Sequence, residues 1–117
     1  MIGLTPPSRL VRRADFIACS KGRRVATAAF VLQERQRGDA AAPRFGFTVT
    51  KKTGGAVERN RMRRRLKEAV RLGAREAARP GSDYVLVLTR AALDRPFDTL
   101  LTDLTEALRR SAAPKAR

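Results

Sequence analysis

The chain has little with which to run acid–base or nucleophilic chemistry. It holds no histidine, a single cysteine (Cys19), and eleven carboxylates against 26 lysines and arginines. A two-metal phosphodiesterase needs several carboxylates converging on ions about 4 Å apart, whereas these acids are spread over helix faces and loops. There is no glycine-rich phosphate loop, no Cys/His ligand set and no Ser-His-Asp combination. Cys19 alone allows neither an internal disulfide nor a thiolate zinc site, and reads as a small helix residue. No catalytic residue and no protein-held metal are therefore expected. The residues that remain are suited to gripping a polyanion.

They concentrate in residues 51–75, KKTGGAVERNRMRRRLKEAVRLGAR. Met62, Leu66, Ala69, Val70 and Gly73 recur at helical spacing and give one narrow packing face. At about 100° per residue, Asn60, Arg63, Arg64, Lys67 and Arg71 fall opposite, with Arg61 and Arg65 on the flank. A solvated helix face normally relieves such charge with acids one turn away, yet only Glu58, Glu68 and Glu76 are available here. Asn60, between Arg59 and Arg61, adds an amide that both donates and accepts, which arginine cannot. A nucleic-acid face fits this pattern better than a merely solvated one.

The totals agree. A net charge of +15 and a pI near 11.7 predict strong, salt-sensitive attraction to phosphate backbones. So much uncompensated charge also predicts folding that is helped by anions. Lysine is confined to Lys21, Lys51, Lys52, Lys67 and Lys115. That bias suits bidentate phosphate contacts and base stacking, and a GC-rich coding sequence produces it equally well. No apolar run approaches the roughly 20 residues of a spanning helix, and the N-terminus lacks a signal peptide's pattern. A cytoplasmic protein is expected.

Elements that position these residues can be read along a chain of one-domain length, 1–117. Residues 1–8 form a Pro6-Pro7 lead-in, expected to be flexible. A short helix covers 13–20, with Phe16 and Ile17 as its main apolar residues and Gly22 beyond as a stop. Residues 25–34 read as a strand, or two strands around a kink at Ala28-Ala29, with Val31 and Gln33 sharing a face. Residues 36–43, QRGDAAAP, read as a mobile hairpin loop. In the strand over 44–51, Phe45, Phe47 and Val49 alternate with Gly46, Thr48 and Thr50. The Thr48 and Thr50 face, with Val31 and Gln33 beside it if the strands pair, would make a shallow floor for single-stranded RNA; a face simply turned to water is the alternative. The basic helix ends near Pro80-Gly81. Residues 83–89 form an interior strand, so a βαβ unit results if the flanking strands are parallel. A last helix spans 94–110, and 111–117 is a flexible tail.

Taken together, these residues resemble the small protein subunit of bacterial ribonuclease P. The likeness centres on Lys51-Lys52-Thr53-Gly54-Gly55-Ala56-Val57-Glu58-Arg59-Asn60-Arg61, continued by Arg63 and Arg64. It extends to the strand from Phe45 to Thr50, to Arg9-Leu10 with Asp15-Phe16, and to Tyr84-Val85-Leu86-Val87, so it covers about residues 9–110. The resemblance implies an α+β fold. It would be a single α/β sandwich ordered α-β-β-β-α-β-α on about four strands, with a left-handed βαβ crossover, although such units are right-handed in about 98% of cases. It also implies a protein that binds a catalytic RNA and cradles the 5′ leader of precursor tRNA. The Mg²⁺ ions would be held mainly by RNA and phosphate, and the protein alone would be a monomer.

By position, the resemblance makes Lys51, Lys52, Arg59, Asn60, Arg61, Arg63 and Arg64 contacts to the catalytic RNA. Phe16, Thr48 and Lys67, with part of the Arg59-Asn60 pair, would line the leader groove. Ser20 stands where many members have a second aromatic, and Gln33 replaces an expected sheet aromatic. Stacking is worth roughly 1–3 kcal/mol per base, so these departures predict a leader grip that leans more on charge. Two alternatives remain: a ribosomal or assembly RNA binder, which needs the same charge but no leader groove, and a protein-only nuclease, which the scattered acids fit poorly. DNA binding is disfavoured by the lack of a separate recognition helix or dimer seam.

Overall fold

In the computed structural model, residues 8–112 are described. They form β1 (Ser8–Arg9), α1 (Arg13–Ser20), β2 (Arg23–Ala26), β3 (Phe30–Gln36) and β4 (Arg44–Thr48). A 3₁₀ turn (Lys51–Thr53), α2 (Ala56–Ala77), β5 (Ser82–Leu88), a second 3₁₀ turn (Arg90–Ala92) and α3 (Phe97–Ala112) follow. The strands make one mixed sheet in the order β1-β4-β5-β3-β2. β1, β4 and β5 are parallel, β3 runs antiparallel to β5, and β2 runs antiparallel to β3. The protein is thus α+β, with five strands among the described residues rather than about four. The lead-in expected over 1–8 is shortened by β1, because the Ser8 amide donates to the Pro43 carbonyl at 2.8 Å; its remainder lies outside the described residues.

β5 explains the strand order. Its residues are apolar on both faces after Asp83, which suits a strand paired on either side and covered above and below. It therefore lies between β3 and β4, which do not pair with each other. The hairpin expected over 36–43 is instead a connection that passes the end of β5. Arg37 ties it down by donating to the Ser82, Ala41 and Ala42 carbonyls at 3.0–3.1 Å and to Asp39 and Asp83. The kink at Ala28-Ala29 is a true turn, closed by Thr27, whose amide donates to the Phe30 carbonyl at 2.8 Å.

One face of the sheet carries α2 and α3. Met62, Leu66, Ala69 and Val70 are buried there as the helical spacing requires, joined by Leu100, Leu104 and Leu108 of α3. Phe45 stacks on Tyr84 with ring centroids 4.9 Å apart. Gly73 lets the two helices approach, since a Cβ there would lie 3.3 Å from Leu101 Cδ2. α3 begins at Phe97 rather than at 94. Pro96 disfavours helical backbone at the residue before it, so the helix can start only beyond Arg95. It continues to Ala112, and Ser111 is buried. The tail expected from 111 is correspondingly shorter, and 113–117 lie outside the described residues.

α1 crosses the opposite face. Only two turns long, it buries Cys19 against Leu10 and Val85 and rests Phe16 beside them, while Ile17, the other main apolar residue of the helix, is exposed. Burial, then the Asp83 carboxylate, pushes the Cys19 thiol up to about 11, so it is a neutral packing group at pH 7. Asp83 itself is fully buried. Arg35 reaches it at 3.0 Å, Arg37 at 2.5 Å and Arg44 at 2.8 Å, and Arg35 and Arg44 each also reach Asp15 of α1 at 3.4 Å. One carboxylate thereby locks β3, β4 and β5 together, and a second one fastens α1 over them.

Candidate nucleic-acid interface

The entry to α2 is built to hold a turn in place while leaving its cations free. Lys51 and Lys52 lie exposed in the 3₁₀ turn after β4. Glu58 accepts from the Gly55 amide at 3.2 Å, which satisfies one of the unpaired donors at the helix start. Arg90 then grips Glu58 with both guanidinium nitrogens, at 2.6 and 2.7 Å, and donates to the Thr53 carbonyl at 3.1 Å. The Arg90 guanidinium, followed by the Gly55 amide, holds the Glu58 carboxyl below its usual range. A Cβ at Gly54 would lie 2.7 Å from both partners of this bridge, so any larger residue there would displace their side-chain ends. Arg59 adds a bond from its Nε to the Gly54 carbonyl at 3.1 Å.

Two of the acids on α2 are therefore occupied. Glu58 belongs to Arg90 and Glu68 to Arg71. Arg65 turns inward and caps the Ala92 and Arg95 carbonyls, which removes it from the outer face. Lys51, Lys52, Arg61, Arg64 and Lys67 stay exposed, with no ion pair recorded for them among the described residues. Arg63 donates to the Asn60 Oδ1 at 3.2 Å, and Asn60 is itself exposed. Val57, 81% exposed, offers an apolar surface beside them.

The α1 face of the sheet supplies a second surface. With β5 between β3 and β4, Thr48 pairs with Val87, Val87 with Val31, and Val31 with Ala26. Thr48 and Val31 thus share one row, but they are separated by Val87 and are not adjacent as expected. Gly46, Val85, Gln33 and Arg24 make the next row, and α1 lies across it, with Phe16 on Gly46 and Cys19 on Val85, leaving Arg24 exposed at the far end. Phe16 lies directly on Gly46, where a Cβ would meet the ring at 2.5 and 2.7 Å. At the β4 edge a cleft of about 150 Å³ opens between α1 and α2, lined by Arg9, Phe16, Gly46, Phe47, Arg63 and Lys67.

Apart from Arg59 and Asn60 at the start of α2, the expected leader-facing residues fall into four placements. Phe16 and Lys67 share the cleft, and Thr48 and Val31 lie half-buried in the adjoining row. Gln33 is on the same face but only 8% exposed. Thr50 has left the strand: it precedes the 3₁₀ turn, with its hydroxyl 3.2 Å from that of Thr53. Sequence reading missed Val87, Arg9 and the edge of Phe47. An all-apolar strand shows no alternation to mark Val87 as half-open, and Phe47 packs on the main core while also reaching the cleft. Among the described residues no three His, Cys, Asp or Glu side chains gather as a metal's ligands would. Among them, too, no helix is long and apolar enough to cross a membrane.

A family model described as Ribonuclease P matches residues 4–112. The chain belongs to the ribonuclease P protein family. The ribonuclease P protein component of Ruegeria pomeroyi is 47% identical over 111 residues, covering 92% of this chain and 89% of that one. The component of Gluconacetobacter diazotrophicus is 47% identical over 104 residues, 88% and 90% of the two chains. Among solved structures, the Thermotoga maritima ribonuclease P protein superposes with a TM-score of 0.75 at 28% identity, covering 88% of this chain and 96% of that one. The Staphylococcus aureus ribonuclease P protein gives 0.74 at 26% identity, with coverages of 89% and 94%. The family's expected motif is therefore found on a turn whose glycine, acid and arginine are mutually fitted.

Proposed function

We infer that this chain is the protein component of ribonuclease P: it binds RNA and assists removal of the 5′ leader from precursor tRNA, with the catalytic activity residing in the RNA partner. Family membership supports that role, and the chemistry of the chain is consistent with it.

The residue assignments go further. The face of Lys51, Lys52, Arg59, Asn60, Arg61, Arg63 and Arg64 takes the catalytic RNA, through phosphate contacts from the arginines and lysines and a sugar or base-edge contact from Asn60. The leader enters beside Lys67, lies against the Phe16 ring and runs over Thr48, Val87 and Val31. Arg59 and Asn60 lie at the junction of the two surfaces, and Thr50 flanks its rim. Gln33 supports the floor more than it touches the strand. The observation that carries this reading is the cleft in which Phe16 of α1 meets Arg63 and Lys67 of α2. It joins a stacking ring to cations, the combination that holds single strands without sequence preference.

Finer expectations belong to the same reading. The β4-α2-β5 unit is left-handed. Mg²⁺ is held mainly by RNA and phosphate, where the protein's cations permit close strand approach. The protein is a cytoplasmic monomer when free of RNA, and residues 1–117 act as one RNA-binding domain. The test is Phe16→Ala in the reconstituted holoenzyme. Affinity for precursor tRNA should fall roughly 5- to 150-fold, from about 1–3 kcal/mol of stacking, while mature tRNA binds as before. Equal losses for both ligands would remove the leader from this cleft.

A further inference from the structure

The open row does not end at Val31. Across the β2–β3 pairing Val31 faces Ala26, and Gln33 faces Arg24. Val25 is buried in the α2–α3 core; strand alternation therefore turns Arg24 and Ala26 onto the α1 face, and both are exposed. Arg24 stands at the free edge of the sheet, where this row meets the C-terminal end of α1. It has no ion pair among the described residues.

The surroundings make that position consequential. In this half of the groove nothing aromatic is available: Ser20 folds its hydroxyl back onto the Ile17 carbonyl at 2.6 Å, and Gln33 is almost covered. Lys21 is exposed one residue beyond, so the positive charge continues around the end of α1. A strand that leaves Phe16 and crosses the floor therefore meets cations where it meets no ring. From Thr48 to Ala26 the floor spans three strand spacings, about 14 Å. At a stacked rise of about 3.4 Å that is room for roughly four nucleotides.

We propose that Arg24 is a second leader-binding site, a phosphate contact at the distal end of the groove that holds nucleotides beyond those reached by Phe16. This rests on the leader-groove reading above and extends it to a residue outside the α2 motif and outside the α1 cleft. A charged edge strand also discourages pairing with other chains; a leader-length experiment separates that role from phosphate binding.

The experiment measures holoenzyme affinity for two precursors, one with a leader of about two nucleotides, which ends before the β2 edge, and one of about eight, which passes it. Arg24→Ala should weaken the long-leader precursor up to about fivefold, as loss of one exposed ion pair does, and leave the short one unchanged. The salt dependence for the long leader should fall by about 0.7 in log–log slope. Arg24→Lys should retain most of the affinity, and Arg24→Glu, which keeps the edge charged, should be worse than alanine. Equal losses for both leaders, or none for either, would overturn the site. Phe16→Ala measured on the same pair separates the two readings. If it remains leader-dependent while Arg24→Ala does not, only the distal site is wrong; if Phe16→Ala also affects mature tRNA, the groove and the distal site fall together.

Discussion

Gly46 offers the sharpest test of how the fold sets the leader surface. A Cβ at this position would lie 2.5 Å from Phe16 Cζ, 2.7 Å from Phe16 Cε2 and 3.2 Å from Leu10 Cβ. Ordinary carbon contacts are about 3.5–4.0 Å, so in Gly46→Ala the ring must retreat by about 1 Å. The clashing atoms are the far end of a side chain with two rotatable bonds at the mouth of a cleft. The ring can swing outward at the low end of the usual overpacking cost, about 1 kcal/mol. Displacement from the floor should forfeit much of a stacking contact worth roughly 1–3 kcal/mol. The expected result is a small fall in melting temperature and a loss of at least about fivefold in precursor affinity, with mature tRNA unaffected. A double-mutant cycle makes the mechanism visible. In a Phe16→Ala background the ring is gone and Leu10 Cβ, at 3.2 Å, is the next neighbour of the added methyl, so Gly46→Ala should cost no further affinity. An undiminished effect in that background, or an equal loss for mature tRNA, would refute the idea that Gly46 acts through the ring.

Asp83→Asn should destabilise the protein by about 3–5 kcal/mol, because it leaves three arginines around an uncharged buried group; thermal melts at neutral pH check this. Burial pushes the Asp83 carboxyl up, but hydrogen bonds from Arg44 and Arg37 outweigh it and hold the group below its ordinary 3.8. A depressed carboxylate stabilises the fold above its unfolded pKa and loses that contribution as pH falls through the folded value. The melting difference between wild type and Asp83→Asn should therefore be constant near neutrality and shrink below about pH 4; a difference unchanged by acid would contradict the assignment. Sulfate at about 100 times its dissociation constant should add about 2.7 kcal/mol, roughly 10 °C in melting temperature, relative to chloride at equal ionic strength. Equal melting in the two salts would show that the unpaired cations of α2 do not limit stability.

What the sequence discloses follows from how locally each feature is determined. The stripe of α2 is readable because Met62, Leu66, Ala69 and Val70 repeat at the helical period and nothing interrupts them. The interior place of β5 follows from its uninterrupted apolar run. Which strands flank it is a long-range matter, so Thr48 and Val31 can be assigned to the open face but not separated by Val87. Arg37 and Asp83 look like ordinary loop and strand-end charges until chain segments far apart in sequence bring them together. Pro96 does mark the start of α3, but the preceding Asp94 resembles a capping residue and draws the boundary three residues too early. On the site, the Lys51–Arg64 cations are legible from charge and spacing alone. The inward turn of Arg65 and the clamp of Arg90 on Glu58 are not, because their partners lie on the segment after β5.

Precursor tRNA cleavage at low Mg²⁺ tests the central claim most directly, comparing the protein alone, its ribonuclease P RNA alone and the two together. Cleavage at the mature 5′ end only when both are present is the predicted result. Cleavage by the protein alone, or binding to the RNA with no stimulation of cleavage, would contradict the account.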